Sequence, residues 1–391
     1  MTNILNHKPP MEYRRFGKTD KMISVITLGG MRFIHGWDDP RNEIPDDTLQ
    51  NCKEMTELAL QNGINHIETA YGYKKSETVY GKVLNDVLKV PRETYYLMTK
   101  GNPKTADETK SLVEEQLATL KTDYLDFYGW HGINNQELFN ISCAKNGPVE
   151  ALLKLKEEGL IRHVGFSTHA PYEVIIKAIE TDYFEFVNLH YYYIYQRNLG
   201  AINLAQAKDM GVFIISPNDK GGQLFNPPLK LKNIACPSTP IQWNARFCLS
   251  HPGIHTLSFG MTEKSHVEEM MGIFPTSVPI SPNDAKIKHE LDAQTLLDPY
   301  ATYDGYELQN DPSGINIPEI LRFRKLLKCY DMKDFGIYRY NDFEEDGHWF
   351  PGKMPTEENL KKLNIDKLPK QIPILEMIKE THKKLYNPKK K

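Results

Sequence analysis

Tyr124-Leu125-Asp126-Phe127-Tyr128-Gly129-Trp130-His131 reads as a short, apolar and aromatic strand that ends on a histidine. Before it, residues 107–120 repeat apolar positions at helical spacing, with Val113, Leu117 and Leu120 on one face. After it, residues 149–157 carry a second helical pattern, which Gly159 is placed to stop. This alternation extends in both directions. Upstream are a strand at 24–28 closed by Gly29-Gly30, a helix at 46–61 (Leu49, Cys52, Met55, Leu58, Ala59), a strand at 65–67, a helix at 76–88 and a strand at 95–99. Downstream are strands at 162–166, 185–189, 212–216 and within 253–259, with helices at 171–180, 199–208, 241–249 and 263–271. Eight strand–helix pairs, whose parallel strands require helical crossovers, predict a closed (β/α)8 TIM barrel. An open doubly wound sheet is the competing architecture, but no G-x-G-x-x-G turn follows the first strand.

The flanks differ from this core. Residues 11–21 read as a small β-hairpin around Gly17-Lys18-Thr19-Asp20 that caps the barrel bottom. Pro275, Pro279 and Pro282 mark a linker, and the remainder is mainly helical or irregular. The expected domains are therefore a barrel at 11–274 and a helical extension at 283–391. A chain of 391 residues is long enough for both. With 40 % hydrophobic and 25 % charged residues it has the composition of a soluble globular protein. A net charge of −3 argues against nucleic-acid and anionic-membrane partners, and the terminal Lys389-Lys390-Lys391 reads as a solvated tail. No apolar run approaches the roughly 20 residues that span a bilayer. Residues 1–10 lack the apolar core of a signal peptide, so a cytoplasmic location is expected. The five cysteines, Cys52, Cys143, Cys236, Cys248 and Cys329, are scattered and read as reduced thiols rather than a disulfide framework or a metal site.

Barrels of this kind carry their chemistry where strands run out into βα loops. Glu68, Tyr73, Lys100, His131, Ser167 and Asn188 fall at or near such positions. Alone, such a tyrosine reads as packing, such a lysine as a solvated loop residue and such a histidine as structural. An acid, a tyrosine, a lysine and a histidine at consecutive strand ends make a set that can pass a proton to a carbonyl oxygen. A free phenol has a pKa of about 10 and donates poorly near neutrality. Lys100 beside Tyr73 is expected to stabilise the phenolate and lower that pKa, Glu68 to hold Lys100, and His131 to orient the carbonyl. His35, His255, His348 and His382 read as structural, and His169 and His190 as weaker site candidates. Tyr71, Tyr191, Tyr192 and Tyr193 suit stacking on a sugar ring and apolar packing equally.

Gly63-Ile64-Asn65-His66-Ile67-Glu68-Thr69-Ala70-Tyr71-Gly72-Tyr73 resembles the G-[IV]-N-x-[FI]-D-T-A-x-x-Y motif of the aldo-keto reductase family. Ser76-Glu77 and Gly81 are similar to the S-E-x-x-x-G that follows it. Leu120-Lys121-Thr122-Asp123-Tyr124-Leu125-Asp126 and the segment from Gly159 to Ser167 resemble two further family motifs. The resemblance covers roughly residues 13–271. It implies the barrel, a nicotinamide cofactor (NADP or NAD) and interconversion of a small-molecule carbonyl, aldehyde, ketone or sugar, with an alcohol. It further implies Tyr73 as general acid/base, Lys100 and Glu68 as its tuning pair, and His131 as the residue that orients the carbonyl.

On the cofactor side, the resemblance implies that Ser167, Thr168 and Asn188 bind the nicotinamide carboxamide. Ser216, Pro217, Asn218, Lys220 and Gly222 lie in a segment that resembles the family's cofactor loop. Phe259, Gly260, Met261 and Thr262 resemble the loop that grips the adenosine phosphate, where Lys264 and Glu268 also fall. Glu68 stands where the family has Asp, and Glu268 and Met270 stand where it often has Arg and Asn. Asn316-Ile317-Pro318 and the segment 347–352 look like landmarks of the branch with a ferredoxin-like C-terminal domain. The C-x-x-C-x-x-C thiolates of that domain are missing, so a degenerate extension without an iron–sulfur cluster is expected. A cofactor-binding regulatory protein with little chemistry is the alternative.

Overall fold

The structure, a computed structural model, describes residues 4–33, 40–344 and 350–388. His35, His348, the 347–349 landmark and Lys389–Lys391 lie outside the described residues. Strands β1 (Tyr13–Arg15) and β2 (Met22–Ser24) form an antiparallel hairpin. Eight further strands follow: β3 (Ile26–Gly29), β4 (His66–Glu68), β5 (Tyr96–Gly101), β6 (Leu125–His131), β7 (Ile161–Ser167), β8 (Phe186–Leu189), β9 (Gly211–Ile214) and β10 (Thr256–Phe259). They pair in parallel in chain order, and β10 pairs with β3, which closes the barrel. This is the (β/α)8 architecture expected from the alternation.

Side chains alternate across a strand, and that alternation decides what lies inside the barrel. Phe16, Ile23, Tyr96, Met98, Phe127, Phe186 and Phe213 form a buried cluster. Counting in twos from these residues leads to the strand ends. Tyr96 and Met98 of β5 put Lys100 on the same inward face. Phe127 of β6 does the same for His131, and Phe186 of β8 for Asn188. His66 of β4, whose ring lies 5.3 Å from that of Phe127 and 5.7 Å from that of Phe213, directs Glu68 inward. A layer of aromatic rings therefore underlies the polar layer at the strand ends. Phe16 and Ile23 of the hairpin close the other end. Gly17, at φ +55°, lies so near β9 that a Cβ there would stand 2.4 Å from the Gly211 nitrogen.

Among the described residues ten α-helices, numbered in chain order, run from the first crossover to the close of the barrel: α1 (Asp46–Gln61), α2 (Ser76–Lys82), α3 (Ala106–Leu120), α4 (Gln136–Ser142), α5 (Pro148–Glu157), α6 (Tyr172–Glu180), α7 (Leu199–Ala207), α8 (Leu229–Ala235), α9 (Pro240–Leu249) and α10 (Lys264–Met271). Several starts follow from local chemistry. The Thr105 hydroxyl accepts from the Glu108 amide at 3.1 Å, the Asn135 side-chain Oδ1 from the Leu138 amide at 2.8 Å, and Pro148 opens α5. The seven-residue helices α4 and α8 are additions to the expected pattern. Among the described residues no helix is long and apolar enough to cross a membrane.

The chain divides into two compact units, residues 1–221 with 241–281, and residues 222–240 with 282–391. The second contains α8, then α11 (Pro282–Ala293), α12 (Ile317–Tyr330), α13 (Lys333–Tyr340), α14 (Glu357–Leu360) and α15 (Ile374–Leu385), with the short parallel strands β11 (Phe343–Glu344) and β12 (Phe350–Pro351). It has its own aromatic core, in which Phe323 lies 5.4 Å from Phe350 and 5.7 Å from Tyr340, ring centre to ring centre. Asn316 caps α12 by accepting from the Glu319 amide and donates to the Pro351 carbonyl at 2.8 Å. His382 accepts or donates at 2.9 Å to the Tyr340 hydroxyl, in keeping with a structural role.

Candidate active site

Glu68 ends β4, Lys100 lies near the end of β5 and His131 ends β6, so three adjacent strands deliver them to one rim. Tyr73 closes the single helical turn Tyr71–Tyr73, whose amide at Tyr73 donates to the Ala70 carbonyl at 2.9 Å. Lys100 and Glu68 form a buried ion pair, with side-chain exposures of 1 % and 3 %. The Lys100 ammonium also donates to the Thr69 carbonyl at 2.8 Å. The Tyr73 hydroxyl donates to Glu68 Oε1 at 3.3 Å, the same oxygen that receives Lys100. The ammonium stands 4.8 Å from the centre of the Tyr73 ring, and the His131 ring meets that ring edge-on at 5.7 Å.

The electrostatics differ in one respect from the expectation. Burial, the Glu68 charge and the Glu68 hydrogen bond together hold the Tyr73 phenol well above its ordinary pKa, with Arg32 opposing them. The lysine expected to lower that pKa directs its ammonium at the carboxylate and a carbonyl instead. Burial lowers the pKa of Lys100 itself, against the opposing charges of Glu68 and Glu77.

Beside this group, Thr168 donates its hydroxyl to the Ile133 carbonyl at 2.7 Å, and Ser167 Oγ accepts from the Gly132 amide at 3.0 Å. Asn188 ends the inward row of β8. Its amide nitrogen meets Met98 Sδ at 3.4 Å, while its Oδ1 is buried with no hydrogen-bond partner. After β9, Ser216 takes φ +49°, and a Cβ at Gly221 would fall 1.9 Å from the Pro217 carbonyl oxygen, so this turn admits only glycine there. Asn218 Oδ1 is a second buried acceptor without a partner. Lys220 donates its amide to the Ser216 carbonyl at 3.0 Å, and Gly222 opens the segment belonging to the second unit. Phe259 ends β10 and is buried, as is Met261 after it, and Gly260 lies beneath the Arg32 side chain. The Thr262 amide donates to His266 Nδ1 at 3.2 Å, and Asn51 of α1 donates to the Thr262 carbonyl at 2.7 Å. Lys264 pairs with Glu268 at 3.3 Å on an exposed face of α10.

The sequence model of the Aldo/keto reductase family matches residues 25–224, half of the chain and all of the strands from β3 through β9. The chain belongs to the aldo/keto reductase family. Among curated proteins it is 29 % identical over 180 residues to L-galactose dehydrogenase of Arabidopsis thaliana, a match over 44 % of this chain and 52 % of that protein. It is 28 % identical over 153 residues to D-arabinose 1-dehydrogenase of Saccharomyces cerevisiae, covering 37 % of this chain and 43 % of that one. The chain thus spans about half the length of the curated relatives it matches. Among solved structures, the aldo-keto reductase AKR11C1 from Bacillus halodurans aligns over 71 % of this chain and 96 % of its own, with a TM-score of 0.59 and 22 % identity, a likeness of fold.

Within this aldo/keto reductase barrel, several contacts at the rim had no sequence signal. Ser258 of β10 donates to Glu68 Oε2 at 3.2 Å, a contact made only because β10 closes onto β3. A Cβ at Gly29 would stand 2.6 Å from that Ser258 oxygen, so the glycine leaves room for it. Arg32 pairs with Asp219 at 2.9 Å, joining the loop after β3 to the loop after β9. Of the tyrosines considered for ring stacking, Tyr191, Tyr192 and Tyr193 are buried. Tyr191 stacks on Phe247 at 5.8 Å and Tyr193 meets Trp243 at 5.2 Å. His169 and His190 stack at 4.6 Å and share a hydrogen bond, and His190 Nδ1 meets the Tyr192 hydroxyl at 2.5 Å.

Proposed function

We propose that the protein is an NAD(P)(H)-dependent oxidoreductase that interconverts a carbonyl and an alcohol, with Tyr73 as the general acid/base. The observation that carries this reading is the single carboxylate oxygen shared by the Tyr73 hydroxyl and the Lys100 ammonium, with the His131 ring beside the phenol. The names of the two curated relatives support a sugar or a similar polyhydroxy compound as substrate.

The cofactor fits the residues present. The unpartnered Asn188 Oδ1 is an acceptor suited to a carboxamide N–H, and Ser167 and Thr168 stand beside it on the neighbouring strand end, where the Thr168 amide donates to the Asn188 carbonyl at 2.9 Å. Asn218, Ser216, Pro217 and Lys220 are the residues for the next part of the dinucleotide, with Gly222 following them. Phe259 to Thr262, Lys264 and Glu268 are those for the adenosine end. When bound, NADP or NAD supplies or takes up the hydride.

The protein's own residues manage the proton. Tyr73 is protonated at neutral pH, as any phenol is, and in reduction it donates to the carbonyl oxygen as that oxygen gains charge. Lys100 is the cation placed to stabilise the phenolate left behind, and Glu68 holds Lys100. His131 donates to the carbonyl oxygen and orients it toward Tyr73. In alcohol oxidation the phenolate takes the proton back.

The test is Tyr73→Phe. Turnover of aldehyde and sugar carbonyls is expected to fall by about a thousandfold or more, within the range set by loss of a general acid together with its oriented hydrogen bond. NADPH and NADH affinities, followed by nicotinamide fluorescence, should stay within about twofold because the phenol makes no uniform binding contact. Full activity in that variant, or failure of wild type to bind either nucleotide, would overturn the proposal.

A further inference from the structure

Behind the rim lies a second ion pair, with a buried carboxylate and a partly exposed guanidinium, whose position gives it a role in assembling the first. Arg41, just before α1, donates through Nη1 to the Tyr71 carbonyl at 2.5 Å and through Nη2 to Glu77 Oε2 at 2.9 Å. Its guanidinium also lies 3.8 Å above the Tyr71 ring. The Glu77 side chain on α2 is fully buried. Its other oxygen accepts from Thr99 Oγ1 at 2.5 Å and Gln116 Nε2 at 2.6 Å. Thr99 is the neighbour of Lys100 on β5, and Gln116 Nε2 also reaches the Lys100 carbonyl at 3.2 Å. One carboxylate therefore ties two things together. One oxygen holds the strand that carries Lys100, and the other, through Arg41, holds the turn that carries Tyr73.

That turn needs external support. Lys74, which follows Tyr73 directly, takes φ +55° and ψ −118°, a conformation costly for a side chain with a Cβ. Such a backbone persists only when its surroundings hold it. A planar guanidinium suits the task because it presents N–H groups in two directions at once and stacks by its face, which an ammonium cannot do. Burial raises the Glu77 pKa, and the hydrogen bonds from Thr99, Gln116 and Arg41, with the Arg41 charge, act against it.

We propose that Arg41 is a positioning residue: through the Tyr71 carbonyl and the Glu77 carboxylate it locks the Tyr73 turn to the Lys100 strand and so sets the distance between phenol and ammonium. The catalytic part of this inference rests on Tyr73 being the proton donor; the clamp itself does not. Arg41→Met and Arg41→Lys are the tests, in the full chain. Both are expected to lower kcat for carbonyl reduction by about tenfold to a hundredfold, the effect of a displaced reacting group, while KM and the NADPH dissociation constant stay within about twofold. Millimolar guanidinium should restore part of the rate to Arg41→Met, and equimolar urea should not. Amide hydrogen exchange in the peptide spanning Tyr71–Tyr73 should quicken by about tenfold or more, with peptides of β6 and β7 unchanged. Glu77→Gln should reproduce the loss of kcat and add little to it in the double variant, because the two residues form one unit. Wild-type kcat together with unchanged exchange in Arg41→Met, full activity in Arg41→Lys, or additive losses in the double variant would each overturn the proposal. A wild-type protein that reduces no carbonyl would defeat the functional reading, and the exchange measurement would still decide the clamp.

Discussion

Glu68 is the residue on which the rim turns. Its carboxylate meets the Lys100 ammonium and the Tyr73 hydroxyl through one oxygen and Ser258 through the other. An aspartate at this position would withdraw the carboxylate by one methylene, away from the phenol. Glu68→Asp should therefore remove the acceptor and move the negative charge away from Tyr73, which lowers its pKa, although burial, the largest cause of the shift, stays in place. Reduction needs the protonated phenol, so in this variant kcat/KM for reduction should begin to fall at lower pH than in wild type. An alkaline limb that does not move would contradict the role given to Glu68. The identities of these residues are legible in the sequence because they sit at strand ends. The direction of the Tyr73 shift is not, because desolvation and a carboxylate five residues away act through space.

At the scale of the element, the two-residue period of a strand does most of the placement. Phe127, Gly129 and His131 share the inward face of β6, as Tyr96, Met98 and Lys100 share that of β5. Gly129 leaves room for the stem of Lys100, since a Cβ there would stand 3.1 Å from Lys100 Cγ and 3.4 Å from Cδ. Gly129→Ala is accordingly expected to push the ammonium off Glu68 and lower kcat by about tenfold to a hundredfold. Its melting temperature should fall as well, because an ammonium moved off its buried carboxylate leaves both charges poorly compensated. Steady-state kinetics beside a thermal melt checks this, and an unaltered kcat would refute it. The strands and the longer helices were legible from apolar period and flanking glycines. Helices α4 and α8 were not, since seven residues hold too few turns for a periodic signal.

For the whole molecule, barrel closure buries His66 among Phe16, Phe127 and Phe213, with Nδ1 on the Thr27 hydroxyl at 2.9 Å and Nε2 without a hydrogen-bond partner. Burial, with help from the Lys100 charge, pulls its pKa down to about 3. His255 is likewise held down, to about 4, chiefly by burial. The unfolded chain binds protons on these rings from about pH 6.5 downward, whereas the folded chain resists them. Stability is therefore fully present above about pH 6.5 and is lost as pH falls toward 3, at up to about 1.4 kcal/mol per pH unit for each histidine. Denaturant melts at pH 7.0, 5.5 and 4.5 should show this slope, and His66→Leu should flatten it. A slope unchanged by that substitution would remove His66 as a cause.

The sequence by itself determined the alternation of strands and helices, the closed barrel that eight such pairs imply, the family, and the residues that stand at the strand ends. Those follow from short-range periodicity and from motif spacing, which a linear chain displays directly. Only the tertiary structure decided that Glu68 meets Tyr73 and Lys100 through one oxygen, that Ser258 reaches it from the strand that closes the sheet, that Arg41 bonds both the Tyr71 carbonyl and Glu77, and that residues 222–240 join the second unit. These contacts join residues up to 190 positions apart. They depend on curvature, closure and burial, which no local pattern encodes.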